Sequence, residues 1–220
     1  MFLLFDGHSG ALVANFASVN FPTILSKHLK DSDPEKALRE TFLETNKRIF
    51  EEEIRGGSTG TAVLVLEHEA YVAHVGDSRA AIVHPDGKLE RLTVDHRPDN
   101  EQEAAAVRSR GGFVFRMGGG LSRVNGVLAI TRALGDRDLK DVISAEPDVR
   151  KLPADLLSKE NPSTLIVACD GMWDVLTDEY VSEVLNTTKD PQSAAQILRN
   201  RAYDSGSNDN ITVMVFRLNL

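Results

Sequence analysis

Three aspartates stand where apolar runs stop. Leu165 to Cys169 is apolar throughout and ends on Asp170-Gly171, with Asp174 on the residues that follow. Met1 to Phe5 is also apolar and delivers Asp6-Gly7-His8-Ser9-Gly10, and Asp209 stands just before the apolar run Ile211 to Phe216. A carboxylate at the end of a buried strand loses hydration, and a divalent cation bound by several carboxylate oxygens restores what was lost. Taken singly, Asp170-Gly171 is equally a turn, and a lone His at position 8 is more often a loop residue than a catalyst. Taken together, Asp6, Asp170 and Asp209 would supply three hard oxygen ligands, with the Gly7 carbonyl as a fourth. That donor set suits Mg²⁺ or Mn²⁺ better than Zn²⁺, which prefers His and Cys. Two such ions about 3.5–4 Å apart can ionise a shared water and neutralise charge on a transferring phosphoryl group. His8 beside them could protonate a departing alkoxide.

Other chemistries fit the residues less well. Gly56-Gly57-Ser58-Thr59-Gly60 matches G-x-S-x-G, but a nucleophile elbow needs a strand before its serine and a helix after it. Here a charged helical stretch precedes and the apolar Thr61 to Leu66 follows, so the segment reads as a Gly-rich entry into a strand. Cys169 lacks the arginine six positions on that a cysteine phosphatase would need, since position 175 is Val; it reads as a small core residue. His68-Glu69 does not continue into a zinc-protease motif, because position 72 is Val. Gly118-Gly119-Gly120 lacks the Lys-Ser/Thr ending of a phosphate-cradling loop, and a flap-like, Gly-rich surface insertion near 111–123 is the better reading.

The elements that must position these groups follow from periodicity. Doubly apolar runs predict strands buried on both faces at 1–5, 165–169 and 211–216. Helices are expected from Gly10 to about Leu29, from Pro34 to near Ile54, over Glu101 to Arg110, near 178–187 behind Thr177, and near 191–204 behind Asp190-Pro191. Thr61 to Leu66, Ala70 to Val75, Arg79 to Val83 and Lys88 to Leu92 read as an antiparallel meander, because their connections are short. Asp77, between two of these strands, reads first as a turn residue and second as a site residue. Asp95 is one more acid at a strand end. Val127 to Thr131 reads as a short strand, Asp148-Val149 as the start of an edge strand, and Ser158 to Pro162 as a polar loop. If the strands before Asp6 and Asp170 lie side by side, with an antiparallel last strand beside them, the three acids meet at one sheet edge.

Composition bounds the rest. The chain has 220 residues, 41% of them hydrophobic and 26% charged, and no apolar run reaches the roughly 18 residues of a membrane span. A net charge of −8 argues against a nucleic-acid surface, since phosphate backbones are bound through excess Lys and Arg. One cysteine excludes an internal disulfide and suits a reducing, intracellular setting. A monomeric single domain over 1–220 is expected, with no membrane partner.

Nine segments in order resemble the type 2C, metal-dependent protein serine/threonine phosphatases. They include Phe5-Asp6-Gly7-His8-Ser9-Gly10, Gly57-Ser58-Thr59-Gly60, Val75-Gly76-Asp77-Ser78-Arg79-Ala80 and Asp95-His96-Arg97-Pro98. Val124-Asn125-Gly126, Arg132-Ala133-Leu134-Gly135-Asp136, Glu146-Pro147-Asp148-Val149, Asp170-Gly171-Met172-Trp173-Asp174-Val175 and Asp209-Asn210-Ile211-Thr212-Val213 complete them. The resemblance implies an α+β fold, a four-layer α/β/β/α sandwich of two antiparallel sheets flanked by helices. It implies hydrolysis of phosphoserine and phosphothreonine in a phosphoprotein substrate, in the cytoplasm or nucleus, by a metal-bridged water at a binuclear Mn²⁺/Mg²⁺ centre. Asp6, Asp170 and Asp209 are then ligands of one ion, Asp6 and the Gly7 carbonyl serve the second, and His8 is the general acid. Asp95 resembles the acid of a weaker third metal position, and Asp174 one that holds metal-bound water. The family carries an N-terminal segment with a phosphate-gripping Arg and a Glu-Asp pair that this sequence lacks, so the first strands of one sheet are expected to be missing. The alternative that departure raises is a catalytically weak, phosphatase-like binding module.

Overall fold

The computed structural model describes residues 1–67, 69–116, 118–157 and 162–218. His68 and most of the expected 158–162 loop lie outside the described residues, as does Met117 within the expected flap. The strands in chain order are β1 Phe2–Leu4, β2 Gly7–His8, β3 Gly57–Ser58, β4 Gly60–Val65, β5 Ala70–Val75, β6 Arg79–Val83 and β7 Leu89–Arg91. Then come β8 Val114–Arg116, β9 Ser122–Val124, β10 Leu134–Gly135, β11 Asp148–Leu152, β12 Ser163–Ala168 and β13 Val213–Leu218. The helices are α1 Leu12–His28, α2 Pro34–Glu51, α3 Glu101–Ser109, α4 Asp170–Trp173, α5 Asp178–Thr187 and α6 Pro191–Asp204.

Two four-stranded antiparallel sheets form the middle layers, in the orders β1-β4-β5-β11 and β13-β12-β6-β7. The period-2 alternation of each strand sends its side chains into two different cores. From β4, Ala62 and Leu64 pack under α1 and α2 with Phe21, Leu38 and Phe42, whereas Val63 joins Leu165 and Val167 of β12 between the sheets. From β12, Ile166 and Ala168 turn outward to meet Val181, Leu185 and Leu198 of α5 and α6. This is the expected α/β/β/α sandwich, and it explains why the strands read as continuous apolar runs: both faces are covered. The caps expected at Thr177 and Asp190 form, their side chains accepting from the amides of Tyr180 and Ser193. Among the described residues no helix is long and apolar enough to cross a membrane.

The structure corrects the predicted topology in three places. The meander is broken between β5 and β6: β5 pairs with β4 and β11, β6 with β12 and β7, so the chain passes from one sheet to the other through Gly76-Asp77-Ser78. Gly76 makes the passage at φ +96°, a left-handed conformation open to glycine at little cost. The strands preceding Asp6 and Asp170 are not neighbours; β1 and β12 belong to opposite sheets. Val127 to Thr131 is not a strand; Val124 and Leu128 form an isolated bridge there, and the hairpin of the insertion is β8 with β9.

Leu165 is fully buried between the sheets. Leu165→Ala is expected to lower stability by about 2–5 kcal/mol, read as a reduced urea midpoint at constant slope. A loss below about 1 kcal/mol would mean the inter-sheet core collapses around the cavity more freely than this packing allows.

Candidate metal centre

Asp6 lies just past β1, and its backbone is pinned by the Gly-rich segment that follows α2. The Thr59 amide donates to the Asp6 carbonyl at 2.9 Å, and the Asp6 amide donates to Thr59 Oγ1 at 3.3 Å. Ser58 Oγ donates to the Asp6 carbonyl at 3.1 Å. Ser58 is therefore a fully buried brace with its hydroxyl consumed by backbone, and an elbow nucleophile it is not. Asp170 opens α4 at the end of β12. Gly171, expected to make a sharp turn, instead sits inside α4, where a Cβ would lie 2.2 Å from the Asn210 carbonyl oxygen. Only glycine lets the loop carrying Asp209 press directly onto the first turn of α4. Beside it, the Thr212 amide donates to Cys169 Sγ at 3.2 Å and the thiol donates to the Asn210 carbonyl at 3.1 Å.

Asp6 and Asp170 meet as the sandwich brings the two sheets together, and Asp209 faces Asp170 from the loop before β13 without joining the closest group. Asp6, Cys169 and Asp170 each offer an atom within 4.8 Å of the others. Burial, then the charges of Asp77, Asp6, Asp174 and Asp209, push Asp170 up to about 7. Burial, with Asp209 and Asp77, also raises Asp6. Asp209 itself is exposed and lines, with Asp170 and Asp174, a cavity of about 290 Å³. Among the described residues, Asp170 Oδ1 is buried with no hydrogen-bond partner. An orphaned carboxylate oxygen in a group of mutually repelling acids is what a hard dication would satisfy, so these residues fit Mg²⁺ or Mn²⁺. Cys169 does not join them: burial pushes its thiol up to about 11, leaving it protonated and bound to backbone.

The protein phosphatase 2C family model matches residues 1–211. This chain belongs to the protein phosphatase 2C family. It is 38% identical over 222 residues to the "Probable protein phosphatase 2C 44" of rice, covering 99% of this chain and 68% of the relative. A "Probable protein phosphatase 2C 9" of Arabidopsis thaliana is 36% identical, with 99% and 76% covered. Among solved structures, a C. elegans sex-determining protein superposes with a TM-score of 0.87 at 28% identity, over 98% of this chain and 55% of that one. A phosphatase from Toxoplasma gondii superposes with a TM-score of 0.80 at 26% identity, over 97% and 82%.

Within this protein phosphatase 2C site, three residues matter that spacing alone did not single out. Asp77 is buried and raised by that burial despite its bond to Arg97, and its charge acts on both Asp6 and Asp170. Arg97 is the group's own cation: it donates to Asp77 at 2.8 Å and to Asp174 at 2.9 Å, and approaches Asp95 at 3.6 Å and Asp170 at 3.8 Å. Asp136 accepts from His8 Nε2 at 2.8 Å and stands in a left-handed conformation, φ 52°. That pair fits because residue 57 is glycine; a Cβ there would lie 2.2 Å from His8 Nε2 and 2.3 Å from Asp136 Oδ2. Asp95, expected at a third metal position, has both oxygens held by Arg79 at 2.6 and 2.7 Å. Gly7 pairs with Ser58 in the β2–β3 ladder beside Asp6.

A second group, His74, His96 and Asp148, also brings donor atoms within 4.8 Å. Its rings are stacked at 4.3 Å and its atoms already engaged: the Gly76 amide donates to His96 Nδ1, His96 Nε2 meets Asp148, and His74 Nε2 meets the Val94 carbonyl. It is a buried packing network that ties β5 to the segment after β7.

Asp170 held protonated has a stability consequence. Its folded value of about 7 lies above that of an ordinary carboxyl, so the native state keeps a proton that the unfolded chain releases, and stability falls as pH rises from the ordinary carboxyl range through about 7, then levels off. In chelator at pH 8, Asp170→Asn is expected to raise stability by on the order of 1–3 kcal/mol, an advantage that fades towards pH 5. His74, which burial and His96 push down to about 4, works oppositely, its contribution lost as pH falls. It is common to both proteins and drops out of the difference. Thermal unfolding of the pair at both pH values measures this; equal melting at pH 8 would show that the acids do not repel as placed.

Proposed function

We propose that this chain is a Mn²⁺/Mg²⁺-dependent phosphatase that hydrolyses phosphoserine and phosphothreonine in proteins at a binuclear centre. The observation that carries the reading is the buried, partnerless Asp170 Oδ1 beside Asp6, with Asp209 facing the same site, in a chain of the protein phosphatase 2C family. Asp6, Asp170 and Asp209 would hold one ion, and Asp6 with the Gly7 carbonyl the other, while Asp174 would orient water at the rim. Bound there, the ions supply charge neutralisation for the phosphoryl group and acidify a water.

The chain's own side chains do the remaining work. His8 stands beyond the Asp6-Gly7 corner with Nε2 fixed on Asp136, which aims the imidazole for proton donation to the serine or threonine oxygen. Arg97 keeps Asp77 and Asp174 oriented and limits their repulsion. The single free cysteine is buried and needs no oxidising compartment, which supports an intracellular setting.

Hydrolysis of a phosphoserine peptide is expected with Mn²⁺ and not with chelator, and Asp170→Asn is expected to abolish it. The same substitution should remove most Mn²⁺ binding in titration calorimetry. Equal rates with metal and chelator would overturn the reading, and metal binding without turnover by the wild type would favour a binding module. His8→Gln is expected to slow the phosphoserine peptide by about 10²-fold or more while sparing p-nitrophenyl phosphate, whose leaving group needs no proton. Equal losses on both substrates would remove His8 from the acid role.

A further inference from the structure

The proposed reaction has a direction in space. If the phosphoryl group lies over Asp6 and Asp170 and His8 faces the leaving oxygen, the polypeptide attached to that oxygen must run out on the His8 side. The surface there is a cleft of about 630 Å³ that begins at Ser9 and Asp136 and reaches Arg55 and Arg137. Val127 and Leu139 give it apolar walls. Arg55 is bonded to the piece of backbone that packs on the catalytic corner. A Cβ at Gly56 would lie 3.1 Å from the carbonyl oxygens of both His8 and Ser9, and the Asp136 amide donates to the Gly56 carbonyl at 2.9 Å.

Arg55 differs from the rest of the arginines. Each of the others makes a hydrogen bond, an ion pair or a ring contact, from Arg39 on Glu146 to Arg201 over Tyr180 and Arg217 on the Thr188 carbonyl. Arg55 alone, among the described residues, is exposed without a partner, in a chain where 33 acidic residues outnumber 25 basic ones. Arg137 adds a second guanidinium to the same cleft, tethered over the Phe50 ring and to its carbonyl. Of the cleft's two acids, Asp136 is committed to His8 and only Asp138 remains.

We propose that Arg55 is a specificity-determining residue that receives a carboxylate side chain lying a few residues from the phosphorylated serine or threonine of the substrate polypeptide. The inference rests on the phosphatase reading above and names the class of substrate it acts on. An extended peptide advances about 3.3–3.6 Å per residue, so an acidic residue close in sequence to the phosphorylated one comes within reach of a flexible arginine at the cleft's rim. Guanidinium meets carboxylate through a fork of paired donors, which favours Asp and Glu over a neutral side chain of the same size.

The test uses phosphoserine peptides in which one glutamate is moved along either flank of an otherwise glutamine background, assayed with Mn²⁺ on the wild type, Arg55→Gln and Arg55→Glu. The wild type is expected to prefer glutamate at one register by roughly three- to fivefold in kcat/KM, as for an exposed charge pair, mostly through KM. The preference should shrink as ionic strength rises. Arg55→Gln should flatten it, and Arg55→Glu should favour lysine at that register. Comparing peptides within one variant cancels any loss of folded protein. Rates independent of glutamate at every register, or a preference that survives in Arg55→Gln, overturn the role of Arg55 and leave the phosphatase standing. Failure of the wild type to hydrolyse any peptide overturns the phosphatase reading and this inference with it.

Discussion

Mutual repulsion among carboxylates at one end of the sandwich is the constraint on which the rest of the structure depends. Two carboxylates about 4 Å apart repel by roughly 4 kcal/mol at an effective dielectric near 20, and Asp6, Asp77, Asp170, Asp174 and Asp209 act on one another across a small space. Left to relax, such a group would separate. It does not, because each acid hangs from an element whose position is decided elsewhere. Asp6 and Asp170 follow strands buried in the core, and Asp77 sits in the passage between β5 and β6. Arg97 is the local cation that offsets part of the repulsion. Protons that Asp6 and Asp170 retain above the ordinary carboxyl range offset more, and a dication that displaced them would find its ligands already in place.

The two-sheet architecture is what makes the convergence possible. A single sheet would line the acids along one edge at strand spacing, about 4.7–4.9 Å per neighbour, with side chains alternating between faces. Here the groups come from opposite sheets, whose inner faces meet through Leu4, Val63, Val72, Leu165 and Val167. Their carboxylates therefore approach across the mouth of the sandwich. Two glycines then remove the last obstacles: Gly171 lets the Asp209 loop touch α4, and Gly57 leaves room for the His8–Asp136 pair. At both positions glycine serves close approach of backbone and side chain; neither has a positive φ.

Much of this was legible in the sequence, for a physical reason. A strand buried on both faces must be apolar along its length, so a charge at its end stands out, and Asp6, Asp170 and Asp209 could be picked as one set. Helices α2, α5 and α6 begin at side chains whose capping chemistry is local, and their starts matched the expectation. Long-range pairing is another matter. Short connections suggested that β5 and β6 were partners, because a two-residue or three-residue link between strands usually closes a hairpin. The same link here changes sheets, and nothing in Gly76-Asp77-Ser78 separates the two outcomes. Read locally, Asp77 is therefore first a turn residue. Asp136 lies 128 residues from His8, and Arg97 lies 20 and 77 residues from Asp77 and Asp174. Such contacts leave no periodic trace; an Asp after a glycine and an Arg before a proline look like loop residues until the fold closes.

The two halves of the site answer to different demands. Around Asp170 the protein accumulates negative charge, desolvates it and leaves one oxygen unsatisfied, an arrangement that disfavours the isolated folded state. Around His8 it does the reverse: Asp136 is matched to a single imidazole, and the backbone is locked by the Asp136 amide on Gly56. In the roles proposed above, a proton donor needs a defined partner and a fixed direction, whereas a cation site needs surplus anionic charge held against its tendency to disperse. The β2–β3–β10 ladder separates them, carrying Gly7 and His8 on one strand with Gly57 and Gly135 opposite. Because that ladder is only two residues per strand, its geometry is set by what it bridges: the inter-sheet core on the side of Asp6, and α1 and α2 on the side of Leu134. Only Gly7 lies between Asp6 and His8 in the chain, so the packing of this ladder decides how the imidazole is turned relative to the acids rather than how far from them it can stand.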